Sequence, residues 1–149
     1  MALAFSHVAL NCSDPAATER FYTRHFGFRR ARVIPLGDEQ IVFLRCGEVC
    51  LELFQAKAGA PRPAPARDGP GEPGVRHLAF QVDDVDRRLA AMGRDANVTL
   101  GPLSFDDFIP GWKTAWVADP DGNIVEISQG YVDQKQPPDL EPVGARAAS

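Results

Sequence analysis

An internal repeat constrains this chain more than any single motif does. The run His7-Val8-Ala9-Leu10-Asn11-Cys12-Ser13-Asp14 returns as His77-Leu78-Ala79-Phe80-Gln81-Val82-Asp83-Asp84. In each copy a His opens a stretch suited to a strand, and the stretch ends in polar residues that can cap a helix. Asp14 followed by Pro15 predicts a helix start, because Pro fits the first helical position. The spacing predicts one helix over about 15–25, with Phe21, Tyr22 and Phe26 as apolar contacts, and a second over about 85–93, with Val85, Leu89 and Met92. The second halves of the two units also correspond. Residues 44–54 read as strand, Gly turn, strand, and residues 117–128 read the same way. The turn signal is strong at Pro120-Asp121-Gly122-Asn123, where Pro presets φ and Gly accepts a positive value. A chain that repeats one supersecondary unit builds its fold from the copies. Each copy reads strand, helix, and a meander of about three strands, so the expected fold class is α+β with two βαβββ modules.

Length and charge set the surroundings of that repeat. The 149 residues suit one domain. We place it over 1–133, with the first module at about 4–56, a Pro-, Gly- and Ala-rich linker at 57–74 and the second module at about 75–130; 134–149 reads as a polar tail. The formal net charge is −4 and no basic stripe is present, which argues against nucleic acid as a partner. No apolar run approaches the roughly 20 residues that a membrane helix needs, and the first seven residues do not read as a secretory signal. Cys12, Cys46 and Cys50 read as free thiols, and the expected location is cytoplasmic.

Strand alternation turns the repeat into a candidate site. Val8 and Leu10 face one way and His7, Ala9 and Asn11 the other; on the later strand Leu51 and Leu53 oppose Cys50, Glu52 and Phe54. The second unit repeats this, with Leu78, Phe80 and Val82 opposing His77, Ala79 and Gln81, and Val125 and Ile127 opposing Ile124, Glu126 and Ser128. Each module therefore carries one His and one Glu on the face away from its apolar set. Two imidazoles and two carboxylates, His7, Glu52, His77 and Glu126, suit a borderline divalent ion such as Zn, Ni, Co, Mn or Fe(II). His25 has no counterpart in the second unit and is expected at the surface.

At these residues the sequence resembles the vicinal-oxygen-chelate superfamily, which includes glyoxalase I, methylmalonyl-CoA epimerase, extradiol dioxygenases, fosfomycin-resistance thiol transferases and bleomycin-binding proteins. The opening His7-Val8-Ala9-Leu10 with Asp14 and Phe21-Tyr22, the closing Asp119-Pro120-Asp121-Gly122-Asn123-Ile124-Val125-Glu126 and the Pro-rich joint carry the resemblance, over about 4–130. It implies a cup-shaped sheet, His7, Glu52, His77 and Glu126 as metal ligands, and a homodimer. The presence of Glu52 makes the match closer to glyoxalase I than to the epimerase. Glutathione-dependent glyoxalases usually carry Arg and Asn where this chain has Asn11 and Ala56, so the resemblance does not extend to glutathione.

The chemistry implied is that of a lyase, isomerase or epimerase that stabilises the enolate of a small carbonyl substrate. Glu126 is the expected base, with Glu52 facing it. The second ring nitrogens of the two His residues are expected to rest on acceptors that the sequence does not identify. The alternatives are an Fe(II) dioxygenase, a metal-assisted transferase of specialised metabolism, or a small-molecule-binding self-resistance protein. Asn11, Phe54, Phe108 and Trp112 are the candidate substrate pocket, with Phe105 and Trp116 as further wall candidates and the 104–112 stretch as a loop able to form a lid. No Lys or Arg cluster is evident as a phosphate or CoA site, although Arg45 and Lys113 could each meet an anionic group.

Overall fold

A computed structural model describes residues 2–59 and 62–142. The element order is β1 (Val8–Cys12), α1 (Pro15–Phe26), β2 (Arg29–Leu36), β3 (Glu39–Cys46) and β4 (Val49–Gln55), then β5 (Leu78–Gln81), α2 (Val85–Met92), β6 (Val98–Ser104), β7 (Lys113–Ala118) and β8 (Ile124–Gln129). A 3-10 turn, Gly93–Asp95, extends α2 and was not foreseen. The strands form two four-stranded mixed sheets, ordered β1-β4-β3-β2 and β5-β8-β7-β6. In each, the first strand runs parallel to the last and the other pairs are antiparallel. This is the twofold βαβββ arrangement expected from the repeat. Among the described residues, no helix is long and apolar enough to cross a membrane.

Local chemistry sets the helix ends. Asp14 caps α1 by accepting a hydrogen bond from the Ala16 N–H, with Pro15 in the first turn, and Asp84 caps α2 through the Arg87 N–H. Gly27 closes α1 in the left-handed region, φ 71°, where a Cβ would be strained.

Both sheets turn their apolar sides into one core. Val8, Leu10, Leu51 and Leu53 from the first sheet belong to the same cluster as Leu78, Phe80, Val125 and Ile127 from the second. The rings of α1 lie between them: Tyr22 and Phe26 touch Phe80 of β5 while α1 packs on β1, β3 and β4. The faces bearing Glu52 and Glu126 are therefore turned away from the shared core.

The β7–β8 turn clasps the modules together. The buried Asp119 carboxylate accepts hydrogen bonds from the N–H groups of Asp121 and Asn123, the Asn123 side-chain amide and the Tyr22 hydroxyl. Asp121 accepts from the Ser13 N–H and the Thr18 hydroxyl at the start of α1. Burial, reinforced by Asp119, pushes the Tyr22 phenol far above its ordinary range, so it stays a neutral donor. Asp119→Ala strands four donors at once. It is expected to lower the unfolding free energy by about 3 kcal/mol or more in urea titration, against about 1 kcal/mol for Tyr22→Phe.

His25 corrects the surface expectation. It is 5% exposed and its Nε2 lies 2.9 Å from the Asp95 carboxylate, while Arg88 donates to the His25 carbonyl. Its place follows from the helix stripe it shares with Thr18, Phe21 and Tyr22, which the repeat comparison overlooked. The three cysteines are free; burial pushes the Cys12 thiol up to about 11, which leaves it unreactive at neutral pH.

Candidate metal centre

His7 and His77 stand immediately before β1 and β5, at the outer edge of each sheet. The parallel pairing then places Glu52 beside Ala9 and Glu126 beside Ala79, so a methyl is the neighbouring side chain on each carboxylate's face. His7 Nε2 lies 3.0 Å from Glu52 Oε2, and His77 Nε2 lies 2.8 Å from Glu126 Oε2. The four candidate ligands thus form two His–Glu pairs, one per module. Among the described residues no group of three or more His, Cys, Asp and Glu side chains gathers in one chain. That follows from the shared core, which turns the two Glu-bearing faces outward.

The second ring nitrogens have partners. His77 Nδ1 is 2.6 Å from the Asp68 carbonyl oxygen, and His7 Nδ1 is 2.9 Å from Ser6 Oγ. A carbonyl only accepts, so this hydrogen bond is donated by His77 Nδ1. Nε2 is then the ring nitrogen that meets the Glu126 carboxylate, at 2.8 Å, where a cation between the two satisfies both. A nitrogen and a carboxylate oxygen held this way fit a divalent ion, with the linker carbonyl orienting the ligand.

The repeat extends to residues that sequence reasoning missed. Phe43 is registered against Glu52 and meets the His7 ring edge-on at 6.1 Å; Trp116 is registered against Glu126 and lies 6.4 Å from the His77 ring. Phe43 stands nine residues before Glu52 and Trp116 ten before Glu126, because the β7–β8 turn is longer than the β3–β4 turn, so an ungapped comparison of the two units does not pair them. Trp116 is 6% exposed, and its Nε1–H has no partner among the described residues, an uncompensated donor beside the site. Thr114 departs from the repeat. Its hydroxyl lies 3.0 Å from both Glu126 Oε1 and the Ile127 carbonyl, whereas Ile41 stands two residues before Phe43. Glu126 is therefore held on both oxygens, and Glu52 shows only its His7 contact.

The candidate pocket residues divide between the two faces. Asn11 is registered beside Phe54 on the first sheet. Trp112 donates to Ser128 Oγ on the second, and its ring meets Phe105 at a tilt at 4.9 Å and Tyr131 edge-on at 5.8 Å. Phe108 is 77% exposed and touches Phe105 only at 6.4 Å. The loop carrying them is closed by Asp106, which accepts from Ser104 Oγ and the Gly111 N–H. Gly130 holds the loop base, since a Cβ there would lie 2.3 Å from the Gly111 carbonyl oxygen. Lys113 is committed to Asp86. A cavity of about 1210 Å³ opens between the linker and the starts of β1 and β5, with Asn11, Ala56 and His77 in its wall.

The first sheet also gathers cations that the sequence did not. A register shift between Arg30 and Arg32 brings Arg32 opposite Phe43, while Arg29 lies opposite Arg45 and Arg45 opposite Cys50. All three guanidinium-bearing residues share the face of Glu52.

Known proteins resemble the chain as follows. The model of the Glyoxalase/Bleomycin resistance protein/Dioxygenase superfamily matches residues 4–127. The uncharacterised protein YaeR of Escherichia coli (strain K12) is 30% identical over 128 residues, which cover 81% of this chain and 92% of that one. The crystal structure of a glyoxalase family protein from Enterococcus faecalis is 31% identical with a TM-score of 0.65, covering 84% of this chain and 96% of that one. A lactoylglutathione lyase from Agrobacterium tumefaciens is 29% identical with a TM-score of 0.56, covering 85% and 93%.

Proposed function

Because the chain belongs to the glyoxalase/bleomycin resistance protein/dioxygenase superfamily, we propose that its two His–Glu pairs are the halves of one divalent-metal centre, and that the protein is a metal-dependent lyase or isomerase acting on a small carbonyl substrate. The observation that carries this reading is the recurrence, in both modules, of a His against a Glu with an aromatic in register. His7 and Glu52 from one copy of the chain and His77 and Glu126 from a second would hold the ion, since a single chain keeps the pairs apart. The protein is accordingly a homodimer in this reading.

A bound divalent ion supplies Lewis acidity at a carbonyl oxygen, acidifying the adjacent C–H. Glu126 would take that proton and return it either to the same carbon, an epimerisation, or, in an α-hydroxy carbonyl, to the carbonyl carbon while the hydroxyl proton passes to the former carbonyl oxygen, a redox-neutral isomerisation. Thr114 and His77 orient the Glu126 carboxylate, one on each oxygen.

Elemental analysis of the purified protein tests the centre. About one divalent ion per chain is expected, with strong loss in His77→Ala and in Glu52→Gln, and a chelator should lower the melting temperature because the ion binds only the native state. Stoichiometric metal surviving in the His7→Ala/His77→Ala double variant would overturn the assignment.

Glutathione is not the expected co-substrate. Asn11 and Ala56 stand where the glutathione-dependent glyoxalases usually carry Arg and Asn, so the guanidinium at the first position and the amide at the second are both missing. The methylglyoxal–glutathione hemithioacetal should be a poor substrate; a kcat/KM above about 10⁵ M⁻¹s⁻¹, in the ordinary enzyme range, would contradict this.

A further inference from the structure

We infer that the substrate carries an anionic group, and that Arg32 and Arg45, with Arg29 behind them, are the residues that recognise it. This rests on the metal-centre reading for the identity of the site, but its grounds are separate. Arg32, Phe43, Glu52 and Ala9 form one cross-strand row on a single face of the first sheet. Arg45 faces Cys50, two residues from Glu52 along β4, which makes it the diagonal neighbour of Glu52. Diagonal neighbours in a sheet lie about 7–8 Å apart, within reach of a long side chain. Arg32 is two strands from Glu52, roughly 10 Å at the usual strand spacing, and its own length spans much of that gap.

These cations are conspicuous for what they lack. Among the described residues none of the three has a side-chain hydrogen bond or ion pair. Arg30, between them in sequence but on the opposite face, is held by both Glu19 oxygens at 2.8 and 2.7 Å. Arg20, Arg24 and Arg76 likewise have carboxylate partners. Arg29 directly opposite Arg45 is a like-charge pair, which costs a sheet stability unless an anion sits between the two. A chain of net charge −4 thus concentrates unpaired guanidinium groups beside Glu52, and guanidinium recognises carboxylate and phosphoryl groups by paired N–H donors.

The second sheet offers the complementary surface. The corresponding face carries Leu100, Trp116, Thr114 and Ser128, with no cation in those rows. A substrate bridging the two faces has an anionic end at the arginines, a carbonyl at the His–Glu pairs and an apolar part against Trp116. Arg29 and Arg45 lie level with Cys50, on the far side of Glu52 from Phe54 and Asn11, and Arg32 lies in the row of Glu52 itself, so none of the three takes the place of the missing glutathione anchor.

Matched ligand pairs test this on the full-length, metal-analysed protein. Levulinate is compared with 2-pentanone, and dihydroxyacetone phosphate with dihydroxyacetone, by titration calorimetry. The anionic member of at least one pair should bind about tenfold or more tightly than its neutral partner. The pair with the larger preference tells a carboxylate from a phosphoryl substrate. Arg32→Gln/Arg45→Gln should abolish the preference while retaining metal and melting temperature, since these residues have no native partner to lose; Arg30→Gln, on the other face, should keep it. Equal binding of charged and neutral members, or a preference that survives in the double variant, overturns the inference. Absence of metal from the wild type would instead strike the metal-centre reading, and an arginine-dependent preference for the anion would still stand.

Discussion

Glu126→Gln is expected to lower kcat by about 10²–10⁴-fold while most of the metal remains bound. Gln keeps an oxygen of similar reach beside His77, so the ligand set is only weakened. It cannot accept a proton near neutral pH, and loss of a positioned general base carries a cost of that order. The same change at Glu52 should tilt the other way, losing metal more than turnover. The reason is local: Thr114 sits 3.0 Å from Glu126 Oε1, and the first module has Ile41 at the matching place. Thr114→Val should therefore reproduce part of the Glu126→Gln defect in kcat with KM and metal content little changed. Metal per chain and kcat measured on the same preparations check the argument. Parallel loss of both in Glu126→Gln would reduce Glu126 to a ligand.

Much of this site was legible because a repeat is read twice. Strand alternation placed His7 with Glu52 and His77 with Glu126 on faces opposite Leu51, Leu53, Val125 and Ile127, and the pairs lie at 3.0 and 2.8 Å. Asp14 and Pro15 announced the start of α1 through chemistry confined to four residues. What escaped depends on longer-range geometry. Strict alternation puts Arg30 and Arg32 on one face; the bulge between them sends Arg30 to Glu19 on α1 and Arg32 to the face of Glu52. No local signal fixes where a bulge falls, so the arginine row stayed invisible. The acceptor for His77 is a linker carbonyl, Asp68, and any residue type could have supplied it. His25 was misplaced because the repeat was consulted where the helix stripe was the better guide.

Mixing two inactive variants should restore activity. In the proposed dimer each centre takes His7 and Glu52 from one chain and His77 and Glu126 from the other. A His7→Ala homodimer has a damaged ligand set in both centres, and so does a His77→Ala homodimer. A heterodimer of the two places both lesions in one centre and leaves the other with four native ligands. Random exchange makes about half of the dimers mixed, each with one intact centre of two, so about a quarter of wild-type activity and metal should return under twofold symmetry. The physical ground is the shared core: Leu51, Leu53, Val125 and Ile127 pack into one cluster, and the two Glu-bearing faces must look outward from it. Strands β1 and β5, which the two His residues precede, are each the last strand of their sheet, and such edges are left for another chain to cover. Subunits are mixed under mild denaturant, returned to buffer, and assayed for metal and turnover against each variant alone. Recovery near a quarter, appearing only after exchange, supports a centre shared between copies. No recovery from a mixture that sedimentation shows to be fully exchanged would mean that each centre forms within one chain, by a module arrangement other than the one the common core imposes.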